Sequence, residues 1–110
     1  MQKYKLKDMI RGWFVGNFKP TAYTTQDVEI GVQRYKAGDY EKRHLHKVAT
    51  EITVIVSGKV IMNDKIFVSG DIIVINPDEA TDFKAVTDVT NVVVKLPSIL
   101  NDKYEVEQNA

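Results

Sequence analysis

The chain contains no cysteine, and this absence excludes disulfide bridges, thiolate nucleophiles and cysteine-based zinc sites. It also has no excess of charge of either sign, because 15 lysines and arginines balance 15 aspartates and glutamates. No net field draws it to nucleic acid or to an anionic membrane, so we expect neither as a partner. Its apolar runs are too short to span a bilayer, and its first residues lack the apolar segment of a signal peptide. We therefore expect a cytoplasmic protein.

Short apolar runs with alternating or β-branched residues dominate the 110 residues, a length that suits a single domain. Turn residues such as Ser57-Gly58, Ser69-Gly70 and Asn76-Pro77 close these runs. Strands that recur about every ten residues are typical of an all-β sandwich or barrel. The one segment that favours a helical turn is 5–11. The apolar runs lie at 28–32, 52–56, 59–62, 66–68, 72–75 and 91–96.

Several of these runs are apolar on both faces, which a lone surface sheet would not tolerate. Two sheets packed face to face bury one of these faces, and a second subunit or a covering segment can bury the other. We therefore expect a homodimer. The aromatic residues Trp13, Phe14 and Phe18 follow the N-terminal segment. They either cap the sandwich or fill a dimer contact, and the alternative is that Trp13 or Phe14 lines a ligand pocket.

The two histidines of the chain, His44 and His46, are two residues apart, so on a strand both imidazoles point to the same face. Glu51 follows at the start of a β-branched run and reaches the same interior if the chain turns back between them. Two neutral imidazoles and a carboxylate match the ligand set of a first-row divalent metal. Alternatively, the histidines lie on an exposed strand and Glu51 is solvated.

The segment reads Gly38, five residues, His44, one residue, His46, four residues, Glu51, six residues, Gly58. This spacing resembles the first conserved motif of the cupin superfamily. The resemblance implies a double-stranded β-helix, a jelly-roll β-barrel, over residues 25–97. Residues 1–24 would then be a short N-terminal extension packed on the barrel, and 98–110 a C-terminal tail of the same single domain.

The second cupin motif is degenerate in this sequence. Gly70-Asp71 and Pro77 match it with one extra residue between them, whereas Glu79 replaces its second glycine and Asp82 its histidine. Asp82 is either a fourth ligand beside His44, His46 and Glu51, or a neighbouring or surface residue that does not touch the metal. The resemblance implies one divalent transition metal, and this harder ligand set favours Fe, Mn or Zn.

Four further residues near the motif are candidates for lining a substrate pocket. Arg43 would neutralise an anionic substrate, or is simply a solvated charge at the end of a strand. Phe83 lies near the ends of the motif and has core packing as its alternative, and Thr53 shares the strand face of Glu51. Tyr40 completes this set, which is Tyr40, Arg43, Thr53 and Phe83.

The resemblance leaves open what the site does, because function resides in the site rather than in the fold. One hypothesis is a metal-dependent enzyme that acts on a small organic molecule by dioxygenase-like or Lewis-acid chemistry. The sequence identifies no separate acid or base, which favours a dioxygenase over an isomerase. The alternative is a non-catalytic barrel that binds or senses a small molecule, with or without metal. A third hypothesis is a cupin that has lost its metal and retains His44 and His46 as interior polar groups.

Overall fold

β-Strands account for nearly all regular structure in the computed structural model, which describes residues 1–107. The last three positions of the predicted C-terminal tail, 108–110, lie outside the described residues. A single 3-10 turn, Leu6–Asp8, forms where the sequence favours a helical turn. The strands are β1 (Trp13–Gly16), β2 (Tyr23–Thr24), β3 (Glu29–Tyr35), β4 (Tyr40–Leu45), β5 (Thr50–Ser57), β6 (Lys59–Met62), β7 (Lys65–Val68), β8 (Ile72–Ile75), β9 (Thr81–Ala85), β10 (Val89–Leu96) and β11 (Tyr104–Glu105).

These strands form two sheets. The six-stranded sheet has the order β2-β1-β3-β10-β5-β8, and the five-stranded sheet has the order β11-β4-β9-β6-β7. Every pairing is antiparallel except that of β1 with β2. The chain passes from one sheet to the other at each connection after β3 except that between β6 and β7, as expected for a jelly roll. The all-β prediction is confirmed.

The apolar core fills one end of the space between the sheets. Ile55 of β5 and Val60 of β6 are completely buried, because inward positions alternate with outward ones along each strand. Phe83 packs into the same cluster from β9. The remaining members are Met62, Ile75, Ala85 and Val89. The core therefore ties β5, β8 and β10 of one sheet to β6 and β9 of the other.

The outer face of the six-stranded sheet is apolar as well. The register aligns one row of side chains across β3, β10, β5 and β8, namely Val32, Val92, Val54 and Ile72. A second row consists of Ile30, Val94, Ile52 and Val74. We call these two rows the outer face. Ile72 is 66% exposed and Val74 is 54% exposed, so the edge of this surface is open to solvent.

Both ends of the chain contribute strands to the sheets. β1 pairs with β3, so the N-terminal segment extends the six-stranded sheet, and β11 pairs with β4 at the edge of the other sheet. The boundaries proposed at residues 25 and 97 stay predictions. Within residues 1–107, no helix is both long and apolar enough to span a membrane.

Gly58 makes the turn from β5 to β6 at a position where a side chain would clash with the backbone. Its φ is +98°, in the left-handed region, and a Cβ built there would lie 2.3 Å from the backbone oxygen of Asp88. Gly70 has a similar φ of +91°, but a Cβ there would meet no atom within 4 Å. The two glycines therefore differ in space and not in backbone conformation.

Replacing Gly58 by alanine is expected to lower the free energy of unfolding by about 1–3 kcal/mol more than replacing Gly70 does. Both substitutions introduce a strained left-handed residue, which costs about 1–2 kcal/mol, and G58A adds the clash with the backbone. Chemical denaturation of the two variants beside the wild type measures the difference. Equal destabilisation would show that the close approach at Gly58 carries no energetic weight.

Candidate functional site

A cavity of about 240 Å³ opens between the sheets beside the core, with which it shares Met62 and Phe83. Its wall combines charged, amide and apolar side chains from both sheets and from both ends of the chain. The lining residues are Arg11, Trp13, Gln33, Tyr35, Glu41, His44, His46, Glu51, Thr53, Met62, Thr81, Asp82, Phe83, Asn91, Val93, Lys95 and Lys103. The structure therefore brings His44, His46 and Glu51 to one space, as their spacing predicted.

Each histidine is held by a hydrogen bond from its Nδ1 atom. The Nδ1 of His44 lies 2.9 Å from the carbonyl oxygen of Lys42, and the Nδ1 of His46 lies 2.7 Å from that of Asp102. A carbonyl oxygen only accepts hydrogen bonds, so each Nδ1 carries a proton. In the neutral ring the lone pair is then on Nε2. This is the arrangement in which protein histidines bind metals.

The Nε2 atom of His46 is buried and has no hydrogen-bond partner. It lies 3.4 Å from Oε1 of Glu51, and two acceptors at this distance repel unless a proton or a cation lies between them. With metal–ligand bonds of about 2.1 Å, two tetrahedral ligands are about 3.4 Å apart. His46 and Glu51 thus have the separation of two donors on one metal ion.

Glu51 lies deep in the cavity, with its side chain 15% exposed. Burial alone would raise its pKa, but the contact with His46 and the charge of Lys95 outweigh that effect and hold the pKa below its ordinary value. The hydroxyl of Thr53 also donates to Oε2 of Glu51, at 3.2 Å. Glu51 is therefore available as an anionic ligand at neutral pH.

Among residues 1–107, no group of three or more histidine, aspartate or glutamate side chains is already arranged to hold a metal ion. The rings of His44 and His46 have centroids 5.5 Å apart and cross at 81°. The donor chemistry of His44, His46 and Glu51 suits a divalent transition metal, and binding one would require side-chain rotation to bring the three donors together.

Asp82 lines the cavity, but its Oδ1 accepts a hydrogen bond of 2.8 Å from the backbone N–H of Asn63. Asn63 begins the turn between β6 and β7, so this contact ties Asp82 to a hairpin. The inward residues that flank it on β9 are Thr81 and Phe83, both buried. The replacement of the third family histidine by Asp82 as a ligand stays a prediction.

The structure separates the four pocket candidates into two pairs. Thr53 and Phe83 line the cavity, and Phe83 is at the same time a core residue whose ring lies 4.5 Å from that of Tyr35. Tyr40 and Arg43 are not in the lining. Tyr40 is 51% exposed at the start of β4, and Arg43 points away from the cavity and donates to Oδ1 of Asn63 at 3.3 Å. Simple alternation along β4 does not explain this, because Glu41 and His44 both line the cavity; the register shifts between these two residues and breaks the alternation there.

Sequence reasoning missed the paired Tyr35 and Glu41. The Tyr35 hydroxyl donates to Oε1 of Glu41 at 3.0 Å, inside the cavity. Burial, and then the negative charge of Glu41, raise the pKa of Tyr35 far above its ordinary value, so the phenol stays protonated. The cavity therefore contains a neutral phenol whose one proton is donated to Glu41. The alternation Glu29, Gly31, Gln33, Tyr35 along β3 is the signal that could have placed Tyr35 on an inner face.

Sequence reasoning also missed Asn91 and Lys95 on β10 and Arg11 and Lys103 near the chain ends. Asn91 and Lys95 alternate with the outward Val92 and Val94 along β10. Trp13 lines the cavity too, which agrees with the pocket alternative for the N-terminal aromatic residues.

Asp102 holds the connection between β4 and β5 in place. Its carboxylate, in a residue only 8% exposed, accepts hydrogen bonds from the backbone N–H groups of Lys47, Val48 and Ala49 at 2.9–3.2 Å. Its own carbonyl oxygen accepts from His46. A residue near the C-terminus thus orients one imidazole and fixes the turn that separates it from Glu51.

Comparison with solved structures shows the fold of the chain. A protein with a double-stranded β-helix domain from Klebsiella pneumoniae is 20% identical, with a TM-score of 0.68 over 76% of this chain and 74% of that one. An RmlC-like cupin from Shewanella frigidimarina is 15% identical, with a TM-score of 0.65 over 70% and 72%. The DMSP lyase DddQ from Ruegeria pomeroyi is 14% identical, with a TM-score of 0.72 over 89% of this chain and 51% of its own.

The chain therefore has the cupin fold, the double-stranded β-helix that the motif around His44 implied. No protein-family model matches the sequence, and no curated protein matches it either. Similarity at these levels of identity supports the architecture, and the site has to be interpreted from its own residues.

Replacing Asp102 by asparagine is expected to lower the free energy of unfolding by about 1–3 kcal/mol at pH 7, because a charged acceptor of backbone hydrogen bonds is lost. Burial would raise the pKa of Asp102, but the bonds from Ala49, Lys47 and Val48 outweigh it and lower the pKa. The stabilisation is therefore full above the unfolded-state pKa of about 4 and is lost as pH falls through the lower folded-state value. Denaturation at pH 7 and below pH 4 measures this.

The matched control is Asp71→Asn, which removes the charge from an acceptor of a single backbone N–H, that of Val68, in an exposed turn. We expect about 0.5–1.5 kcal/mol from this ordinary hydrogen bond. If Asp102→Asn were no more destabilising than Asp71→Asn, the carboxylate of Asp102 would not be what holds the turn.

Proposed function

We propose that this protein is a metal-binding cupin that acts as a metal-dependent enzyme on a small organic substrate held in the cavity. The observation that carries the proposal is the pair of fixed imidazoles, each with its Nδ1 proton donated to a carbonyl oxygen. Each Nε2 atom then has a lone pair that can bind a metal ion, and both histidines line the cavity that Glu51 also lines. His44, His46 and Glu51 are the proposed ligands of one divalent ion, with Fe, Mn or Zn as candidates.

A bound divalent ion would supply Lewis-acid polarisation of a substrate oxygen or, if it were iron or manganese, dioxygenase-like chemistry. The chain's own residues provide the surroundings. Tyr35 presents a permanently protonated hydroxyl, and Glu41 accepts from it. Phe83, Met62 and Val93 form an apolar wall that limits water. This hydrogen bond fixes the Tyr35 oxygen and the Glu41 carboxylate at the cavity wall, where both can accept hydrogen bonds from a substrate.

The alternative is a non-catalytic barrel that binds or senses a small molecule. Within residues 1–107, the three proposed ligands do not lie close enough together to hold a metal ion, and this favours the alternative. In this case His46 and Glu51 would contact the small molecule directly. Metal analysis separates the two functions.

The metal test is elemental analysis of untagged protein that has never contacted a nickel column. The wild type is expected to hold about one equivalent of Fe, Mn or Zn, with three protein ligands and an open position. His44→Ala and His46→Ala should each lower the affinity more than about 100-fold, since they remove a ligand rather than its support. Asp82→Ala should leave the metal in place, because the Asp82 carboxylate binds the β6–β7 turn.

Circular dichroism and thermal melts of the same variants confirm that they are folded. Stoichiometric metal in both histidine variants would overturn the ligand assignment. A large loss of metal in Asp82→Ala would instead establish a fourth ligand.

We also propose that two copies associate through their outer faces. The two rows across β3, β10, β5 and β8 contain no charged side chain, so two identical faces do not repel each other. Such a contact is isologous, with each row facing its symmetry equivalent. The same alternation that sends Thr53 and Ile55 inward leaves Ile52 and Val54 on this surface.

Val54→Lys, at the centre of the outer face, is expected to shift the protein to monomer in sedimentation-velocity experiments, because a lysine would be buried between the copies. The control is Ile66→Lys, which changes a 59% exposed residue on β7 of the other sheet. A monomeric wild type, or a Val54→Lys protein that stays dimeric, would contradict the proposal.

A further inference from the structure

Lys95 places a cationic group in the cavity that is not neutralised by direct contact. It lies on the inner face of β10, in register with Glu51 of β5 and Glu29 of β3. Its ammonium nitrogen sits 4.9 Å from the centre of the Trp13 ring. Within residues 1–107, no carboxylate oxygen lies within 4.0 Å of that nitrogen. An aromatic face stabilises such a cation only modestly and leaves its hydrogen-bond donors available.

Asn91 places an unused acceptor in the same cavity. It is 2% exposed, and its Oδ1 has no hydrogen-bond partner. A buried carbonyl oxygen without a donor is costly, by about 1–3 kcal/mol, and is rare in folded proteins. A hydroxyl or N–H group of a ligand would satisfy it. Because Asn91 is an amide, the group it lacks is a donor and not a charge.

The positions of Lys95 and Asn91 define a direction along the cavity. They are four residues apart on β10, so their Cα atoms are separated by about 13 Å. Val93 lies between them as part of the apolar wall. A molecule that reaches both therefore has its anionic group and its hydrogen-bond donor at opposite ends. Since Glu51 lies beside Lys95 in the register, the anionic end comes next to the proposed metal ligands.

The volume limits the size of such a molecule. A cavity of about 240 Å³ equals the volume of about eight water molecules and is smaller than the ~300–1,000 Å³ of drug-sized pockets. Arg11 and Lys103 also line this cavity and, together with Lys95, balance the three carboxylates of its wall, Glu41, Glu51 and Asp82. A short carbon chain with one carboxylate fits these limits.

We propose that the cavity binds a small hydroxycarboxylate, whose carboxylate pairs with Lys95 and whose hydroxyl donates to Asn91. This inference rests on the proposed function for the role of the metal, but the two recognition contacts come from the chain itself. Lys95 is then the residue that selects for an acid, and Asn91 the residue that selects for a hydroxyl.

Trp13 is the single tryptophan of the sequence and lines the cavity, so its fluorescence reports binding. The probes are 4-hydroxybutyrate, butyrate, which lacks the hydroxyl, and 1,4-butanediol, which lacks the carboxylate. Each is titrated into protein loaded with Zn²⁺ and into protein treated with EDTA. We expect 4-hydroxybutyrate to bind at least about tenfold more tightly than 1,4-butanediol, because a charged hydrogen bond is at stake.

Lys95→Met should remove the preference for 4-hydroxybutyrate over 1,4-butanediol. Asn91→Leu should remove its preference over butyrate and leave the preference over 1,4-butanediol in place. The control, Lys84→Met, changes an exposed lysine of β9 and should retain both preferences. Circular dichroism of each variant verifies the fold, and because Lys84→Met removes the same charge, an effect of net charge is distinguished from one of position.

Equal affinity for 4-hydroxybutyrate and 1,4-butanediol in the wild type would overturn the inference, and so would a preference that survives Lys95→Met. Absence of any response to the three probes would overturn it as well. The metal proposal is judged separately: if EDTA-treated protein retains the preferences and no metal binds, the recognition contacts stand and the enzyme function falls. If metal binds stoichiometrically but the preferences are absent, the metal proposal stands and the recognition contacts are refuted.

Discussion

The hydrogen bonds of Asp102 to the turn between β4 and β5 are the constraint on which the candidate site depends. That turn joins the strand that carries His44 to the strand that carries Glu51, and these strands belong to different sheets. Strand alternation decides only which face a side chain is on. The turn decides whether donors from the two sheets meet. A carboxylate that bonds three successive N–H groups removes the freedom of the turn, and the carbonyl of the same residue orients His46.

β10 shows how much one central strand does in a domain of this size. Val89 and Val93 of its inner face are buried, and Asn91 and Lys95 of the same face line the cavity. Its outer face contributes Val92 and Val94 to the two apolar rows. A small domain buries a limited fraction of its surface, so a strand that is apolar on both sides implies a further contact beyond the core. The same strand thus links the core to the residues proposed for recognition and to the face proposed for self-association.

The cavity has a division of charge that follows from the register. Lys95 and Glu51 are direct neighbours on β10 and β5, whereas Tyr35 and Glu41 lie on β3 and β4. The charge of Lys95 helps to lower the pKa of Glu51. The carboxylate of Glu41 helps to raise the pKa of Tyr35 and so keeps the phenol protonated. One cavity therefore contains an ionised carboxylate and a neutral phenol at the same pH. Burial in a low-dielectric space makes both effects larger than they would be in water.

The sequence by itself determined the all-β strand content and the face shared by His44 and His46, because β-branched alternation and turn chemistry are local properties. The cupin fold was implied by the resemblance of the motif spacing around His44. The sequence also indicated that Glu51 would join the histidines, since few residues separate them. Only the tertiary structure decided that Arg43 points to Asn63, that Tyr35 meets Glu41, and that Asp102 fixes a turn more than 50 residues away. Those contacts depend on strand register and on which strands become neighbours. Both are set by packing between distant segments, which no local pattern encodes.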